Sequence, residues 1–231
     1  MKIKGIQGVS TVDYPGRIVT TLFTGGCNFR CPFCQNRDLI LNHERISTIP
    51  DKEVMDKLKR RKGFIDGVCI TGGEPTIEVD LVSFCRRLKT LELLVKVDTN
   101  GYLPLRIEEL IERKAVDYIA LDIKSSPERY SFASGIQVDL GRIEKSIELL
   151  MNFKIDYEFR TTCVPGFVEE EDLKKIGGLV KGGRFYALQQ FRPGTTIDPS
   201  LSTLKPYPGE RLESFAQIMR SYVERVEIRG L

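Results

Sequence analysis

Short apolar runs of the β type alternate with amphipathic helical segments along most of the chain. The apolar runs lie at residues 18–23, 67–71, 93–98, 118–123, 157–162 and 185–191. The segments with helical spacing lie at residues 51–61, 79–89, 105–113, 140–152 and 170–180, and a further helix at 209–223 precedes a short strand at 225–229. This alternation predicts a parallel sheet with helices packed outside it.

Six strand–helix repeats are too few for a closed eight-stranded barrel. They predict an α/β fold, a partial (βα)6 TIM-like barrel that is open on one side. No linker, low-complexity tract or sequence repeat interrupts the pattern, so the 231 residues are expected to form a single domain, 1–231. The core is expected at about 17–193, with a C-terminal helix and strand within 208–231.

Composition excludes several classes of protein. The 35 basic and 32 acidic residues are well mixed and give a net charge of +3, so we expect no nucleic-acid partner. No run of 18 apolar residues occurs, and no membrane span is expected. The N-terminus lacks the apolar stretch of a signal peptide, which favours a cytoplasmic location and argues against the six cysteines forming a disulfide framework.

Polar residues and glycines cluster where the predicted strands end. In parallel sheets of this kind, ligands bind at the carboxyl ends of the strands. We therefore predict that these side chains line one binding site. They are Gly72, Gly73, Glu74, Asp98, Thr99, Asn100, Asp122, Lys124, Arg160 and Gln190.

A loop at residues 25–36 carries the remaining candidate chemistry. Cys27, Cys31 and Cys34 supply three thiolates, which favour an iron–sulfur cluster, zinc or copper(I). Three ligands on a four-iron cluster leave one iron free to bind a small molecule. Zinc would need a fourth ligand, and the only histidine, His43, is expected to be an ordinary surface residue. A [4Fe–4S] cluster is favoured, with zinc as the alternative.

The segment 26–36, with Phe33 before the third cysteine, resembles the signature of radical S-adenosylmethionine (SAM) enzymes when taken together with Gly-Gly-Glu-Pro at 72–75. The segments at 13–16, 98–101 and 122–124 are similar to those of the enzymes that activate glycyl radical enzymes. The short N-terminal stretch and the lack of a ferredoxin-like insert resemble the anaerobic ribonucleoside-triphosphate reductase activating proteins. The resemblance covers about 5–193. One departure is Gln35-Asn36, where members often carry His-Asn; we expect it to be tolerated.

The resemblance implies a function and its cofactors. A [4Fe–4S] cluster on Cys27, Cys31 and Cys34 would cleave SAM reductively, and the 5′-deoxyadenosyl radical would generate a glycyl radical on a partner enzyme. The implied partner is the large subunit of an anaerobic ribonucleotide reductase, and the electron donor a flavodoxin or ferredoxin. Three alternatives stay open: an activase of another glycyl radical enzyme such as pyruvate formate-lyase, a small-molecule enzyme of the deazapurine type, and a non-catalytic zinc or cluster-binding module.

The resemblance also implies roles for single residues. Gly72, Gly73 and Glu74 would receive the SAM amino group, and cationic Lys124 and Arg160 its carboxylate. Phe33 and the segment around Gln190 would form walls for the adenine. A monovalent cation beside SAM would take hard oxygen ligands. The implied cofactor-binding residues are Phe33, Gly72, Gly73, Glu74, Asp98, Asn100, Lys124, Arg160 and Gln190, and the implied cation ligands are Asp98, Thr99 and Asp122.

Overall fold

The computed structural model describes residues 1–231, which build one sheet whose eight strands follow each other in chain order. The first pair of strands is antiparallel and every later pair is parallel. The first and last strands do not pair with each other, so the barrel is open on one side. The strands are β1 (Ile3–Ser10), β2 (Val19–Thr24), β3 (Gly67–Gly72), β4 (Leu94–Thr99), β5 (Tyr118–Asp122), β6 (Asp156–Cys163), β7 (Phe185–Gln190) and β8 (Arg225–Arg229).

Eight helices accompany the strands, and their starts follow local sequence signals. The Asp139 side chain accepts a hydrogen bond from the Gly141 amide (3.1 Å) at the start of the helix Leu140–Asn152, and Glu169 and Asp172 form reciprocal bonds at the start of the helix Glu170–Leu179. The helices are α1 (Arg37–Leu41), α2 (Asp51–Arg61), α3 (Leu81–Lys89), α4 (Pro104–Glu112), α5 (Tyr130–Ser134), α6 (Leu140–Asn152), α7 (Glu170–Leu179) and α8 (Gly209–Arg220). No helix is long and apolar enough to cross a membrane.

The strands alternate between an apolar outer face and a polar inner face. On β4, Val95 and Val97 belong to the main apolar core beneath the helices, whereas Lys96 and Asp98 point to the opposite side. On β6 the same alternation sets Phe159 against Glu158 and Arg160. The interior of the barrel is therefore charged, and the hydrophobic core lies between the sheet and the helices.

The predicted partial barrel is confirmed, and one strand was missed. All six predicted strands are present to within two residues at each end, and the strand at 225–229 extends the sheet beyond β7. The missed strand is β1, because glycines at positions 5 and 8 interrupt its apolar pattern. A Cβ on Gly8 would lie 2.6 Å from a guanidinium nitrogen of Arg61, the end of a flexible side chain that can move, so packing alone does not require glycine there.

Candidate active site

One cavity of about 1010 Å³ lies at the carboxyl ends of the strands. Every cluster, cofactor and cation residue predicted from the sequence lines it, from the cysteines of the loop after β2 to Gln190 at the end of β7. The cavity continues to the open side of the barrel, where it meets residues 11–16 and the β8 strand. Because the carboxyl ends of the parallel strands meet at one edge of the sheet, residues far apart in sequence come together there.

The three predicted cluster ligands are buried or half-buried on the wall of this cavity. Burial, with a smaller contribution from the Glu74 carboxylate, raises the pKa of the Cys27 thiol to about 12. Burial likewise raises the pKa of Cys31 to about 11, against an opposing effect of Lys124. As the side chains stand, the thiols do not converge into a closed metal site. A metal cluster binds thiolates, so its binding would have to displace the thiol protons.

Two glycines allow the turn after β3 to pack directly on the cysteine loop. A Cβ on Gly73 would lie 1.8 Å from the Gly26 carbonyl oxygen, so only glycine fits there. The Glu74 amide donates to that same oxygen (2.8 Å), and the Gly73 amide donates to Thr24 (2.9 Å). The Gly73 carbonyl accepts no hydrogen bond within the chain and lies on the cavity wall, where it can accept one from a ligand.

Glu74 is buried and joins the turn after β3 to the end of β4. Its Oε1 accepts hydrogen bonds from the Thr76 amide (3.0 Å) and the Thr99 hydroxyl (2.7 Å), and its Oε2 accepts one from the Asn100 amide (2.8 Å). Burial raises the pKa of Glu74 although these hydrogen bonds oppose it. The side chain thus has a structural task that sequence reasoning did not identify.

Asn100 connects the end of β4 to the cysteine loop. Its Nδ2 donates to Asn28 Oδ1 (2.7 Å) and lies 3.8 Å from the Cys27 sulfur. On the other side of the loop, the Phe33 ring packs edge-on against Phe167, with ring centroids 5.3 Å apart. Neighbouring elements therefore hold the loop at both ends.

Four charged residues form a chain across the predicted SAM-carboxylate region. Arg160 donates from Nε to Asp122 (2.7 Å) and from Nη1 to Asp98 (3.1 Å), and Lys124 lies 3.2 Å from the second Asp122 oxygen. Burial alone would raise the pKa of Asp122, but Arg160 and Lys124 outweigh it and hold that pKa below its ordinary value. Asp122 also raises the pKa of Lys124 against the effect of burial, so the lysine stays charged.

Beneath these four charged residues lies a second charged group that the sequence analysis missed. Arg229 of β8 donates to both carboxylate oxygens of Glu158 (3.1 and 2.7 Å), and the Lys96 ammonium lies 3.8 Å from Glu158. Both Lys96 and Glu158 are buried. The available signal was a charged residue at an inward-facing position inside two of the apolar runs, Lys96 in 93–98 and Glu158 in 157–162.

Gln190, Asn36 and Gln35 bond to backbone carbonyls around the cavity, and His43 does not lie where the sequence predicted. Gln190 donates to the Tyr207 carbonyl (2.6 Å), while its Oε1 is buried without a partner. Asn36 donates to the Gly72 carbonyl (2.9 Å), and Gln35 bonds the Arg192 carbonyl at the rim. The expectation that His43 is an ordinary surface residue is wrong, because its ring covers Gly25 and Gly26 and its Nδ1 is buried without a partner.

Three thiols beside a glycine turn, a free carbonyl and a set of cations define a cavity suited to a metal–sulfur cofactor and a zwitterionic ligand. This donor set fits a [4Fe–4S] cluster with SAM, since soft thiolates suit iron–sulfur clusters and fixed cations suit a carboxylate. The chain matches the radical SAM superfamily model over residues 21–176. The chain belongs to the radical SAM superfamily.

Two relatives narrow the assignment. The chain is 36% identical over 235 residues to a Methanocaldococcus jannaschii protein provisionally named as a glycyl-radical enzyme activating enzyme, covering 99% of this chain and 96% of the relative. It is 28% identical over 209 residues to the pyruvate formate-lyase-activating enzyme of Clostridium pasteurianum, covering 85% and 83%. The chain is thus a radical SAM enzyme of the glycyl-radical enzyme activase family, and its cofactors are a [4Fe–4S] cluster and SAM.

The fold has a solved counterpart in SuiB of Streptococcus suis bound to S-adenosylmethionine. The TM-score is 0.69 at 17% sequence identity. The match covers 89% of this chain but 48% of SuiB, so this chain corresponds to about half of that protein. This likeness supports the partial barrel and nothing finer.

Proposed function

We propose that this chain generates a glycyl radical on a partner enzyme and that the partner is an anaerobic ribonucleotide reductase. The observation that carries the first part is the shape of the cavity, which runs from the cysteine loop to the open side of the barrel. A glycine in a protein backbone must enter the site together with its flanking residues, and a lateral opening admits such a segment. The lack of an inserted ferredoxin-like segment supports the choice of the reductase.

Cys27, Cys31 and Cys34 are proposed as the cluster ligands. When bound, the reduced cluster and SAM supply the 5′-deoxyadenosyl radical that removes a hydrogen atom from the partner's glycine. The loop itself helps to hold Cys27 in place. Arg30 donates to the carbonyls of Cys27 (2.6 Å) and Phe29 (2.7 Å), which fixes the first turn of the loop. Burial raises the pKa of all three thiols, and the charge of Lys124 acts against that rise.

The SAM contacts are proposed from groups left free on the cavity wall. The Gly73 carbonyl can accept from the amino group, while Glu74 and Asn100 keep that turn in place. Lys124 and Arg160 can bind the carboxylate. Phe33 can cover one face of the adenine, and the unpartnered Gln190 Oε1 offers an acceptor near the other wall. Gly72 and Asp98 act through their neighbours, since Gly72 accepts from Asn36 and Asp98 binds Arg160.

The mouth of the cavity is proposed to receive the partner's glycine-bearing segment. On one side, residues 11–16 include Val12, which is 78% exposed although it is apolar. On the other side lie Glu227, Ile228 and Arg229 of β8. The free edges of β1 and β8 leave the mouth uncovered. An electron donor such as a flavodoxin or ferredoxin is needed, because the three cysteines outside the loop are scattered and supply no second cluster.

The test is an anaerobic incubation of the reconstituted, reduced enzyme with SAM and the large subunit of the ribonucleotide reductase from the same source. We expect an EPR doublet from a glycyl radical, together with release of 5′-deoxyadenosine. Cys34→Ala should abolish both signals. The matched control is Cys85→Ala, because Cys85 is a buried cysteine on α3 outside the cavity and should keep both.

Two further arms decide among the other candidates. The resemblance to the C. pasteurianum enzyme favours pyruvate formate-lyase as the second candidate, so that protein is tested in parallel. A doublet on pyruvate formate-lyase alone would replace the reductase as the partner. Cleavage of SAM without a doublet on either protein would instead favour a small-molecule substrate of the deazapurine type.

A further inference from the structure

Asp98 and Asp122 both line the cavity, from the neighbouring strands β4 and β5, and Arg160 binds both carboxylates. Family resemblance suggests an alkali cation between them, with Thr99 as a further ligand. The residues of this chain do not fit such an ion. Asp98 already binds Lys96 and Arg160, and Asp122 binds Arg160 and Lys124.

Thr99 is also engaged elsewhere. Its hydroxyl donates to Glu74 Oε1 (2.7 Å) and accepts from the Gly101 amide (3.1 Å). Moving Thr99 toward a cation would therefore break the link between the turn after β3 and the end of β4. Each expected oxygen ligand thus has a protein partner, and for the two carboxylates these partners are cationic.

The charge balance points the same way. Three cationic side chains, Lys96, Lys124 and Arg160, already lie among three carboxylates, Asp98, Asp122 and Glu158, and Glu158 also pairs with Arg229, so the charges of this group are balanced without an added ion. A further cation would add unbalanced positive charge to a buried site, which is strongly unfavourable. The pKa of Asp98 agrees with this balance: burial acts to raise it, but Arg160 and Lys96 lower it below its ordinary value.

Strand register explains how one arginine reaches both carboxylates. Arg160 lies directly opposite Asp122 on the adjacent strand, and its other strand neighbour is the small residue Ala187. Nε and Nη1 hold the two aspartates. Nη2 makes no hydrogen bond within the chain and is not fully buried. Because Arg160 lines the cavity, a ligand there can reach Nη2.

We infer that Arg160 is a built-in counter-cation: its guanidinium takes the position of an alkali ion between Asp98 and Asp122, and this chain binds SAM without Na⁺ or K⁺. A guanidinium suits this role because its planar fork donates to two carboxylates at once and keeps its charge at all accessible pH values. Nη2 then remains for the SAM carboxylate. The inference rests on the proposed function only in that SAM is the ligand.

The experiment uses the anaerobically reconstituted enzyme in sodium, potassium or tetramethylammonium chloride at equal ionic strength. SAM dissociation constants are measured by equilibrium dialysis and unfolding midpoints by calorimetry. For the wild type we expect no more than about a twofold change in SAM affinity between salts, since screening is held constant. The unfolding midpoint should also be the same in all three. A tenfold or larger loss of affinity in tetramethylammonium, about 1.4 kcal/mol, would overturn the inference.

Arg160→Gln should make SAM affinity and the unfolding midpoint depend on Na⁺ or K⁺, which we do not expect for the wild type. In tetramethylammonium chloride its SAM affinity should fall about tenfold to a hundredfold, as expected for loss of charged hydrogen bonds. Na⁺ or K⁺ should restore part of that affinity and raise the unfolding midpoint. If Arg160→Gln does not fold, Arg160→Lys serves, because one ammonium cannot hold both carboxylates. A folded variant whose midpoint ignores Na⁺ and K⁺ would also overturn the inference.

Arg129→Gln is the matched control. Arg129 pairs with the buried Asp172 (2.9 Å) outside the cavity, so its loss should lower the midpoint equally in all salts. An alkali response in this variant would show that any carboxylate left without its cationic partner attracts the ion, which contradicts a specific site. A wild type that binds no SAM in any salt would refute the proposed function, and the midpoints would still decide the role of Arg160.

Discussion

Replacing Gly73 by alanine tests the contact on which the cluster site depends. The added methyl group would lie 1.8 Å from the Gly26 carbonyl oxygen, 2.8 Å from its carbon and 3.1 Å from its nitrogen. These are backbone atoms of the cysteine loop, so no side-chain rotation relieves the clash. Either the loop or the turn after β3 must move, and the Glu74 amide then loses its bond to Gly26.

The expected cost follows from two terms. Overpacking a tight contact typically costs about 1–3 kcal/mol, and each lost backbone hydrogen bond adds about 1 kcal/mol. The bonds at risk are Glu74 to Gly26 (2.8 Å) and Gly73 to Thr24 (2.9 Å). Gly73→Ala should therefore lower the free energy of unfolding by about 3–5 kcal/mol if both bonds are lost. Because Cys27 follows Gly26 directly, cluster binding should suffer more than folding.

The assay combines urea unfolding of the apoprotein with iron and sulfide analysis after anaerobic reconstitution. Gly73→Ala is expected to fold but to bind substoichiometric iron with weak absorption near 400 nm. The control is Gly178→Ala on α7, where a Cβ meets nothing within 4 Å. This variant should have a free energy of unfolding about 0.5–1 kcal/mol higher than the wild type and should bind iron normally. A Gly73→Ala protein with full cluster content and unchanged stability would refute the packing argument.

Two further predictions concern the charged interior. Glu158→Gln removes the partner of Arg229 and should lower the free energy of unfolding in urea by about 3 kcal/mol. The double variant Glu158→Gln/Arg229→Gln should lower it by less, because no unpaired charge then stays buried. An equal loss of stability in the single and double variants would contradict an ion pair. Asp98 and Asp122 have pKa values below those of the unfolded chain, so they stabilise the fold above roughly pH 5, and this stability is lost progressively as the pH falls below about 4 and through their lowered pKa values. Urea unfolding of the apoprotein from pH 7 to acid should show the decline, and Asp122→Asn should show a shallower one.

The parallel part of the fold could be predicted because its strands and helices have distinct periods. Residues 51–61 and 140–152 repeat apolar positions at helical spacing, and both helices occur with those bounds. The β1 strand could not be predicted in this way. Its glycines at positions 5 and 8 carry no side chain that would continue an apolar pattern. The pairing of β1 with β2 is a tertiary property that no local pattern contains.

Membership of the cavity could be predicted from strand ends, but the partners of each side chain could not. Glu74 lines the cavity as expected, but its hydrogen bonds to Thr76, Thr99 and Asn100 were not predicted. The register between β5 and β6 decides that Arg160 meets Asp122. Register depends on the whole sheet, and a shift of one residue would turn Arg160 to the other face.

The interior charges also explain why two strands carry alanine at inward-facing positions. Ala120 lies between Asp98 and Glu158 in the strand register, and Ala187 lies between Arg160 and Glu227. A larger residue at either position would occupy the space through which the charged side chains reach one another. The barrel interior is usually filled by branched apolar side chains. Here small residues and ion pairs fill it, so the same packing that closes the lower barrel also places Arg160 and Lys124 at the cavity. Ala120→Val should therefore disturb SAM binding although residue 120 is not proposed to touch SAM.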